Sequence, residues 1–207
     1  KSIRRIGILT GGGDCPGLNA VIRAVVLDAA SSGTELVGVR DGFLGLIEDR
    51  MEVIRPESVS GILTLGGTIL GTSNKANPQK FAMGVDGAGK PVMCNVMDRC
   101  LKAIEERGLE AIIVVGGDGS MTGTAPFVDA GVNCIGVPKT IDNDLWGTDL
   151  TFGFLTASTI AAEAIDRLHT TAASHHRAIV VEVMGRNAGW IALHSGVASA
   201  AHVILIP

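Results

Sequence analysis

Along the chain, short apolar runs alternate with longer segments whose apolar residues recur at helical spacing. The first apolar run is Ile6–Leu9, and the glycines at positions 11, 12 and 13 follow shortly after it. Beyond these glycines, Leu18–Ala30 carries apolar residues at the spacing of one buried helix face. The N-terminal segment therefore predicts a strand, a glycine turn and a helix.

A second segment repeats this order further along the chain. Ala111–Val115 is a short apolar run that leads into the glycine-rich turn Gly116–Gly119, and we expect Ser120 to cap a helix running towards Ala130. Strands are also predicted at Leu36–Val39, Ile135–Val137, Ile179–Val183 and Val203–Ile206, and helices at Thr156–His169 and Ala188–Ala198. Strands that alternate with helices indicate an α/β protein with a mostly parallel sheet covered on both faces.

Two polar stretches interrupt this alternation. Asn74–Lys90 contains one proline and three glycines, and we expect a surface excursion or a hairpin there. Lys139–Gly153 is a long polar loop between apolar elements. Ligands of open α/β sheets bind where such loops leave the strand ends, so this loop is a candidate binding segment. We place a domain boundary near Gly153.

Composition narrows the class of protein. The 207 residues correspond to about 1.4 domains of ordinary size. With 46% hydrophobic and 18% charged residues the chain is not intrinsically disordered. Its net charge of −4 means that it has no overall positive potential to attract nucleic acid or an anionic membrane. We expect no membrane-spanning segment, because no uninterrupted apolar run approaches 18 residues, and no signal peptide in Lys1–Thr10, which lacks the apolar core of one. The four cysteines form no CxxC pair, so we expect reduced thiols in a cytoplasmic protein.

The first glycine turn, Gly11–Gly17, has the composition of a phosphate-binding loop. Its backbone N–H groups can point at phosphate oxygens, and the start of the following helix adds partial positive charge. The turn matches neither GxxxxGK[ST] nor GxGxxG, which excludes a P-loop and a Rossmann dinucleotide fingerprint. A tight turn that binds no ligand is the alternative.

The second glycine turn adds a carboxylate, Asp118, to the same composition. Mg²⁺ binds in proteins through one or two carboxylates together with the phosphates of a substrate. We therefore expect Asp118 to hold Mg²⁺. The alternative is that the side chain of Asp118 only satisfies the amides of its own turn.

The segment Pro138–Asp144 carries two carboxylates. Asp142 and Asp144 are two positions apart, so in extended backbone their side chains point to the same side. A hydroxyl that attacks a phosphoryl group needs a positioned carboxylate to accept its proton. Asp-Asn-Asp is also an ordinary turn composition, and that is the alternative.

Two arginines flank the predicted strand near position 180. Arg177 and Arg186 are nine positions apart, about 30 Å of extended chain, so we do not expect both to reach one ligand within the same subunit. Arginine suits bidentate phosphate recognition, although both residues could simply be surface arginines. His169, His175 and His176 lie near a predicted helix end without the spacing of metal ligands.

Five ordered motifs resemble the 6-phosphofructokinase family. They are Ile6–Asp14, Gly66–Gly71, Gly116–Ser120, Pro138–Asp144 and Val181–Arg186. Each is weak alone, but together they are specific, and the resemblance covers essentially the whole chain. It implies an α/β fold of two Rossmann-like three-layer domains, and phosphorylation of the 1-hydroxyl of fructose 6-phosphate by ATP or pyrophosphate.

The resemblance also implies roles for single residues. The phosphoryl donor would be bound by Gly12, Gly116, Gly117, Asp118, Gly119 and Ser120, with Asp118 holding Mg²⁺. Asp142 would be the general base, and the site around it would be completed by Thr140, Asp144 and Arg186. The sugar phosphate would contact Met184, Gly185 and Arg186, and also Arg177 of a neighbouring subunit. This last contact implies a homo-oligomer, typically a tetramer.

The residues that distinguish ATP from pyrophosphate as the phosphoryl donor give opposite indications. Gly119 resembles the ATP-dependent members, whereas Lys139, which we also expect to bind the donor, resembles the pyrophosphate-dependent ones. A small residue at 119 leaves room for the α-phosphate of a nucleotide, so we expect ATP, with pyrophosphate as the alternative. Many members have a donor-binding arginine where this chain has Asn74, and we expect Lys75 to substitute for it.

The chain ends at Pro207, short of the family length, so we expect a fragment whose C-terminal half is missing. We expect an incomplete donor-binding domain over 1–152 and the start of a sugar-phosphate domain over 153–207. A lipid or NAD kinase would share the Gly-Gly-Asp-Gly loop but not the Pro138–Asp144 motif. A noncatalytic regulatory or nucleotide-binding subunit is the non-enzyme alternative; Asn74 favours it, and the retained Asp142 counts against it.

Overall fold

The structure is a computed structural model that describes residues 3–207. The described residues divide into two compact units: unit 1 ends at Val137, and unit 2 is Pro138–Pro207. This division falls earlier in the chain than the boundary predicted near Gly153. The functional assignment of 1–152 and 153–207 stays a prediction.

Unit 1 contains seven strand segments and four α-helices within its described residues. The strands are β1 (Arg5–Thr10), β2 (Glu35–Val39), β3 (Met51–Ile54), β4 (Phe81–Val85), β5 (Pro91–Cys94), β6 (Ala111–Gly116) and β7 (Cys134–Thr140), which continues into unit 2. The helices are α1 (Leu18–Ser31), α2 (Phe43–Ile47), α3 (Met97–Glu106) and α4 (Asp118–Asp129), with a 3-10 turn at Pro56–Val59.

The sheet of unit 1 has the order β3-β2-β1-β6. Strand β1 pairs in parallel with both β2 and β6, and β3 pairs antiparallel with β2 at the edge. The predicted strands at Ile6–Leu9, Leu36–Val39 and Ala111–Val115 are therefore confirmed, as is the mostly parallel sheet. Because β1 and β6 are parallel neighbours, both glycine turns leave the same end of the sheet.

The core of unit 1 lies between this sheet and its helices. Helix α1 buries Leu18, Ile22 and Val26, which share one face because they are four residues apart. The ring of Phe127, in α4, stacks on the ring of Phe43, in α2, with the centroids 5.8 Å apart. The predicted helix at Leu18–Ala30 is confirmed.

The polar stretch from Asn74 to Lys90 leads into a β-hairpin, one of the two alternatives predicted for it. Strands β4 and β5 pair antiparallel, with a bulge between Ala82 and Val85. The carboxylate of Asp86 closes the turn, since its Oδ1 accepts the N–H groups of Ala88 and Lys90 at 2.9 Å each.

Unit 2, whose residues 138–207 are all described, contains one short strand and three helices after the end of β7. They are β8 (Phe152–Gly153), α5 (Phe154–Asp166), α6 (His169–His175) and α7 (Trp190–Ala198). The last two residues of β7 pair in parallel with β8. Phe154 and Ile191 are buried in this unit, and the ring of Phe154 contacts His194 edge to face at 5.0 Å between centroids.

Three predictions about secondary structure are wrong. The apolar runs Ile179–Val183 and Val203–Ile206 are not strands, because neither forms a ladder with any described residue; Val180 is 95% and Val203 75% exposed. The helix predicted over Thr156–His169 ends at Asp166, and a separate helix begins at His169.

In the part of the chain that the structure describes, no helix is long and apolar enough to cross a membrane.

Candidate active site

The first glycine turn is anchored by its own backbone hydrogen bonds. Gly11 donates its N–H to the carbonyl of Val115 at 2.9 Å, and Gly12 donates its N–H to the carbonyl of Ser73 at 3.2 Å. The hydroxyl of Thr72 donates to the carbonyl of Gly12 at 2.7 Å. Gly12 has a φ of 81°, which glycine adopts at no steric cost. The expectation that these N–H groups point at phosphate oxygens is therefore wrong for Gly11 and Gly12.

The two glycine turns touch each other through Ser120. A Cβ added at Gly116 would overlap the side chain of Ser120, and one added at Gly11 would lie 2.5 Å from its Oγ. Ser120 is buried as the third residue of α4, whose N-cap is Gly117. The prediction that Ser120 caps this helix is wrong. Its small side chain instead lets the two turns approach closely.

The start of α4 is the part of unit 1 best suited to a phosphate. Asp118 and Gly119 are exposed in its first turn, and backbone N–H groups at these two positions of a helix have no acceptor within it. The N–H of Ser120 donates to the carbonyl of Gly117 at 3.0 Å. A Cβ added at Gly119 would meet no atom within 4 Å, so the space beside it is open. An anion held there would be stabilised by these amides and by the helix dipole.

Asp118 is the residue of this loop that fits a divalent cation. Within residues 3–207, no three His, Cys, Asp or Glu side chains cluster as a metal site. Mg²⁺ needs no such cluster, since one carboxylate and the phosphate oxygens of a substrate suffice. The exposed carboxylate at the start of α4 matches this donor set.

The segment from Leu65 to Gly71 is held in unit 1 by hydrogen bonds from Asn19 of α1 and Thr10 of β1. Asn19, which is 2% exposed, donates its side-chain amide to the carbonyls of Leu65 and Gly66 at 3.1 Å each and accepts the N–H of Ile69 at 2.8 Å. The hydroxyl of Thr10 donates to the carbonyl of Gly71 at 2.7 Å. The sequence pattern did not reveal Asn19 or Thr10, because a buried polar side chain gives no periodic signal.

The residues after Gly71 carry the predicted cationic group. Lys75 is exposed, and its backbone N–H donates to the hydroxyl of Ser73 at 3.3 Å. Asn74 beside it is also exposed. Unit 1 thus brings together the three segments 11–13, 72–75 and 116–120.

In unit 2, the candidate catalytic residues lie where β7 ends. Thr140 is its last residue, and its hydroxyl accepts the N–H of Asp142 at 3.1 Å. Asn143 has a φ of 51°, and its Oδ1 accepts the N–H of Thr151 at 2.8 Å. Asp144 is exposed. The loop thus places Asp142 between two residues that are tied to Thr151, another residue that the sequence pattern did not reveal.

The carboxyl group of Asp142 is in an unusual environment. Its Oδ1 is buried and has no hydrogen-bond partner among the described residues. Burial, with a contribution from the charge of Asp144, raises the pKa of Asp142 above the ordinary value of an aspartate. A partly desolvated carboxylate with a raised pKa is a stronger proton acceptor than a solvated one.

Other predicted residues of unit 2 differ in exposure. Lys139 is 4% exposed in β7, so its assignment to the donor stays a prediction. Arg177 and Arg186 are exposed, and so is Met184 at 69%. Gly185 sits in a turn where an added Cβ would lie 2.5 Å from the carbonyl of Ala188, so the tight backbone requires glycine. The role of these residues towards a sugar phosphate stays a prediction.

Comparisons with known proteins find similarity to phosphofructokinases. The family model described as phosphofructokinase matches residues 5–207. ATP-dependent 6-phosphofructokinase 2 of Clostridium perfringens is 55% identical over 208 residues, which cover 100% of this chain and 57% of the relative. A pyrophosphate–fructose 6-phosphate 1-phosphotransferase of Amycolatopsis mediterranei is 52% identical and is matched over 98% of this chain and 56% of its own length.

The chain also resembles a solved phosphofructokinase structure. Phosphofructokinase from Saccharomyces cerevisiae superimposes with a TM-score of 0.80 at 33% identity, over 94% of this chain and 28% of that protein. The chain spans little more than half the length of the curated relatives it matches. With a family model that matches nearly every residue and relatives that are more than half identical, the chain belongs to the phosphofructokinase family.

Proposed function

We propose that the chain belongs to an enzyme that transfers a phosphoryl group from ATP to the 1-hydroxyl of fructose 6-phosphate, giving fructose 1,6-bisphosphate in glycolysis. The observation that carries this proposal is the Asp142 carboxyl group, whose Oδ1 is buried without a partner among the described residues. A structural aspartate in a turn normally accepts amide hydrogen bonds through its oxygens. An oxygen left without one is available to accept a proton from a substrate hydroxyl.

Asp142 acts as the general base in this proposal. Its Oδ1 takes the proton of the 1-hydroxyl while the hydroxyl oxygen attacks the terminal phosphorus of the donor. The bond from this phosphorus to the oxygen that bridges to the β-phosphate breaks, and ADP leaves with that oxygen. The raised pKa makes this carboxylate a stronger proton acceptor. Asp144 and Thr140 flank the base and complete the site around the transferred group.

The donor phosphates are bound in unit 1 in this proposal. The first-turn amides of α4 hold phosphate oxygens, and Gly12 of the first turn and Ser120 of the second complete the donor-binding loops. Gly11, Gly116 and Ser120 allow these two turns to approach, and Lys75 adds an exposed positive charge. Asp118 holds Mg²⁺, which neutralises negative charge on the donor phosphates when it is bound. Lys139 contributes positive charge from β7.

ATP is the donor that the loop geometry favours. The open space beside Gly119 leaves room for a nucleotide, and a carboxylate at this position would repel its α-phosphate. Pyrophosphate is the second candidate, because Lys139 and the relative from Amycolatopsis mediterranei favour it. The two donors use the same base and the same acceptor.

The sugar phosphate is bound by unit 2 and by a second copy of the chain. Met184, Gly185 and Arg186 contact fructose 6-phosphate, and Arg177 reaches the ligand of a neighbouring subunit. The enzyme is therefore a homo-oligomer, and it acts in the cytoplasm.

The test is an assay of fructose 1,6-bisphosphate formation by the full-length gene product. ATP and pyrophosphate are supplied in parallel with Mg²⁺ and fructose 6-phosphate. We expect turnover with ATP and loss of turnover in Asp142→Asn, with donor binding retained. Turnover with pyrophosphate alone would refute the donor assignment, and an Asp142→Asn variant as fast as the original protein would refute the role of the base.

A further inference from the structure

Thr151 is a buried polar residue outside the motifs of the family resemblance. It lies directly before β8 and is 2% exposed. A buried hydroxyl costs free energy unless it forms hydrogen bonds, so its partners indicate what it holds in place.

Both polar groups of Thr151 bind the loop that carries the candidate base. Its hydroxyl donates to the carbonyl of Thr140 at 2.7 Å and also lies 3.3 Å from Oδ1 of Asn143. Its backbone N–H donates to the same Oδ1 at 2.8 Å. One residue therefore ties together the two positions that flank Ile141 and Asp142 in the chain.

Asp142 depends on these ties because its reactive oxygen has none of its own. The Oδ1 atom is buried without a hydrogen-bond partner among the described residues. The backbone N–H of Asp142 donates to the hydroxyl of Thr140, and Asn143 adopts a left-handed φ of 51° that asparagine tolerates better than most residues. The backbone on either side thus sets where the carboxyl group points.

We propose that Thr151 is a positioning residue for phosphoryl transfer, which holds Thr140 and Asn143 so that Oδ1 of Asp142 stays buried and aimed at the acceptor hydroxyl. This inference rests on the proposed function. Thr151 touches no reacting atom and acts only through the loop from Thr140 to Asn143. Its effect is therefore on kcat, since a base displaced by about 1 Å can lower the rate about 100-fold.

The test compares Thr151→Val with Thr151→Ser in the full-length enzyme. Valine keeps the shape of threonine and removes the hydroxyl, whereas serine keeps the hydroxyl and removes the methyl group. We expect valine to lower kcat by about 10- to 100-fold, with a smaller change in KM for fructose 6-phosphate, and serine to restore kcat. Thermal unfolding of both variants checks that they are folded.

The pH profile of kcat separates positioning from a merely structural role. Burial and the charge of Asp144 raise the pKa of Asp142, so the acid limb, below which the base is protonated, lies at higher pH than for a solvated aspartate. The other charged residues of this segment are Lys139 on β7 and Asp149 before Thr151, and β8 carries none. An opened loop admits water to Asp142, so Thr151→Val should move the acid limb to lower pH.

Asn143→Gly is the second variant, because glycine accepts the positive φ and removes the acceptor of the Thr151 N–H. It should reproduce both effects if valine at 151 prevents folding. The inference is overturned if folded Thr151→Val keeps the original kcat, or if kcat falls while the acid limb stays in place. An original enzyme that forms no fructose 1,6-bisphosphate would instead overturn the proposed function.

Discussion

The side chain of Asn19 should contribute strongly to the stability of unit 1. It makes three hydrogen bonds, two as donor to Leu65 and Gly66 and one as acceptor from Ile69, at 3.1, 3.1 and 2.8 Å. The variant that removes them with least disturbance of helix α1 is Asn19→Ala, because alanine has the highest helix propensity.

The magnitude follows from these contacts. A hydrogen bond within a protein contributes about 1 kcal/mol net, so the full set corresponds to about 3 kcal/mol. Leu65 and Gly66 are exposed, so their carbonyls can bind water in the variant, whereas the N–H of Ile69 is less accessible. We therefore expect Asn19→Ala to lower the free energy of unfolding by about 2–3 kcal/mol.

Urea unfolding followed by circular dichroism at 222 nm measures this loss. Asn133→Ala is the matched control, since its exposed side chain makes one hydrogen bond, at 3.0 Å, to the carbonyl of Glu110. This control should lose less than about 1 kcal/mol. Equal losses in the two variants would refute the view that Asn19 organises the loop before Gly71.

Three further variants or probes test the packing of unit 1. Gly116→Ala should lower the free energy of unfolding, measured with urea, by about 1–3 kcal/mol because its Cβ would overlap Ser120. Adding Ser120→Gly should recover part of this loss. Strictly additive losses in the double variant would contradict the contact between the two residues. Phe127→Ala should cost about 3–5 kcal/mol by the same measurement, since its ring is 2% exposed and stacks on Phe43. The thiol of Cys100 is 0% exposed, and burial raises its pKa to about 12, so iodoacetamide should label it only after unfolding. Rapid labelling of the native protein would show that α3 packs less tightly.

The parallel strands of unit 1 were predictable because buried parallel strands are apolar on both faces, whereas the antiparallel edge strand β3 was not predicted. The runs at Ile6–Leu9 and Ala111–Val115 carry this signal, and the glycines after them mark the strand ends. The same rule failed at Ile179–Val183, since an apolar run becomes a strand only when another strand pairs with it. Pairing partners are a property of the fold and leave no mark within the run.

The candidate site was predictable in its charged residues but not in its polar supports. Asp118 and Asp142 stand out because they follow strands in glycine-rich or polar loops. Asn19 and Thr151 act through hydrogen bonds to backbone groups 50 and 11 residues away, at Ile69 and Thr140. Such contacts depend on which loops lie close together in the fold. The residue types and spacing within a short segment do not show this.

Strand β3 also has a consequence for how the protein behaves when it is concentrated. It is the edge of the sheet in unit 1, runs antiparallel to β2 and has only four residues, of which Glu52 is exposed and paired with Arg40. A short edge strand with a charged side chain gives a second chain few backbone groups to pair with. Proline at position 56 follows closely and has no N–H to offer. This edge should therefore resist the strand-to-strand growth through which parallel sheets aggregate while they fold.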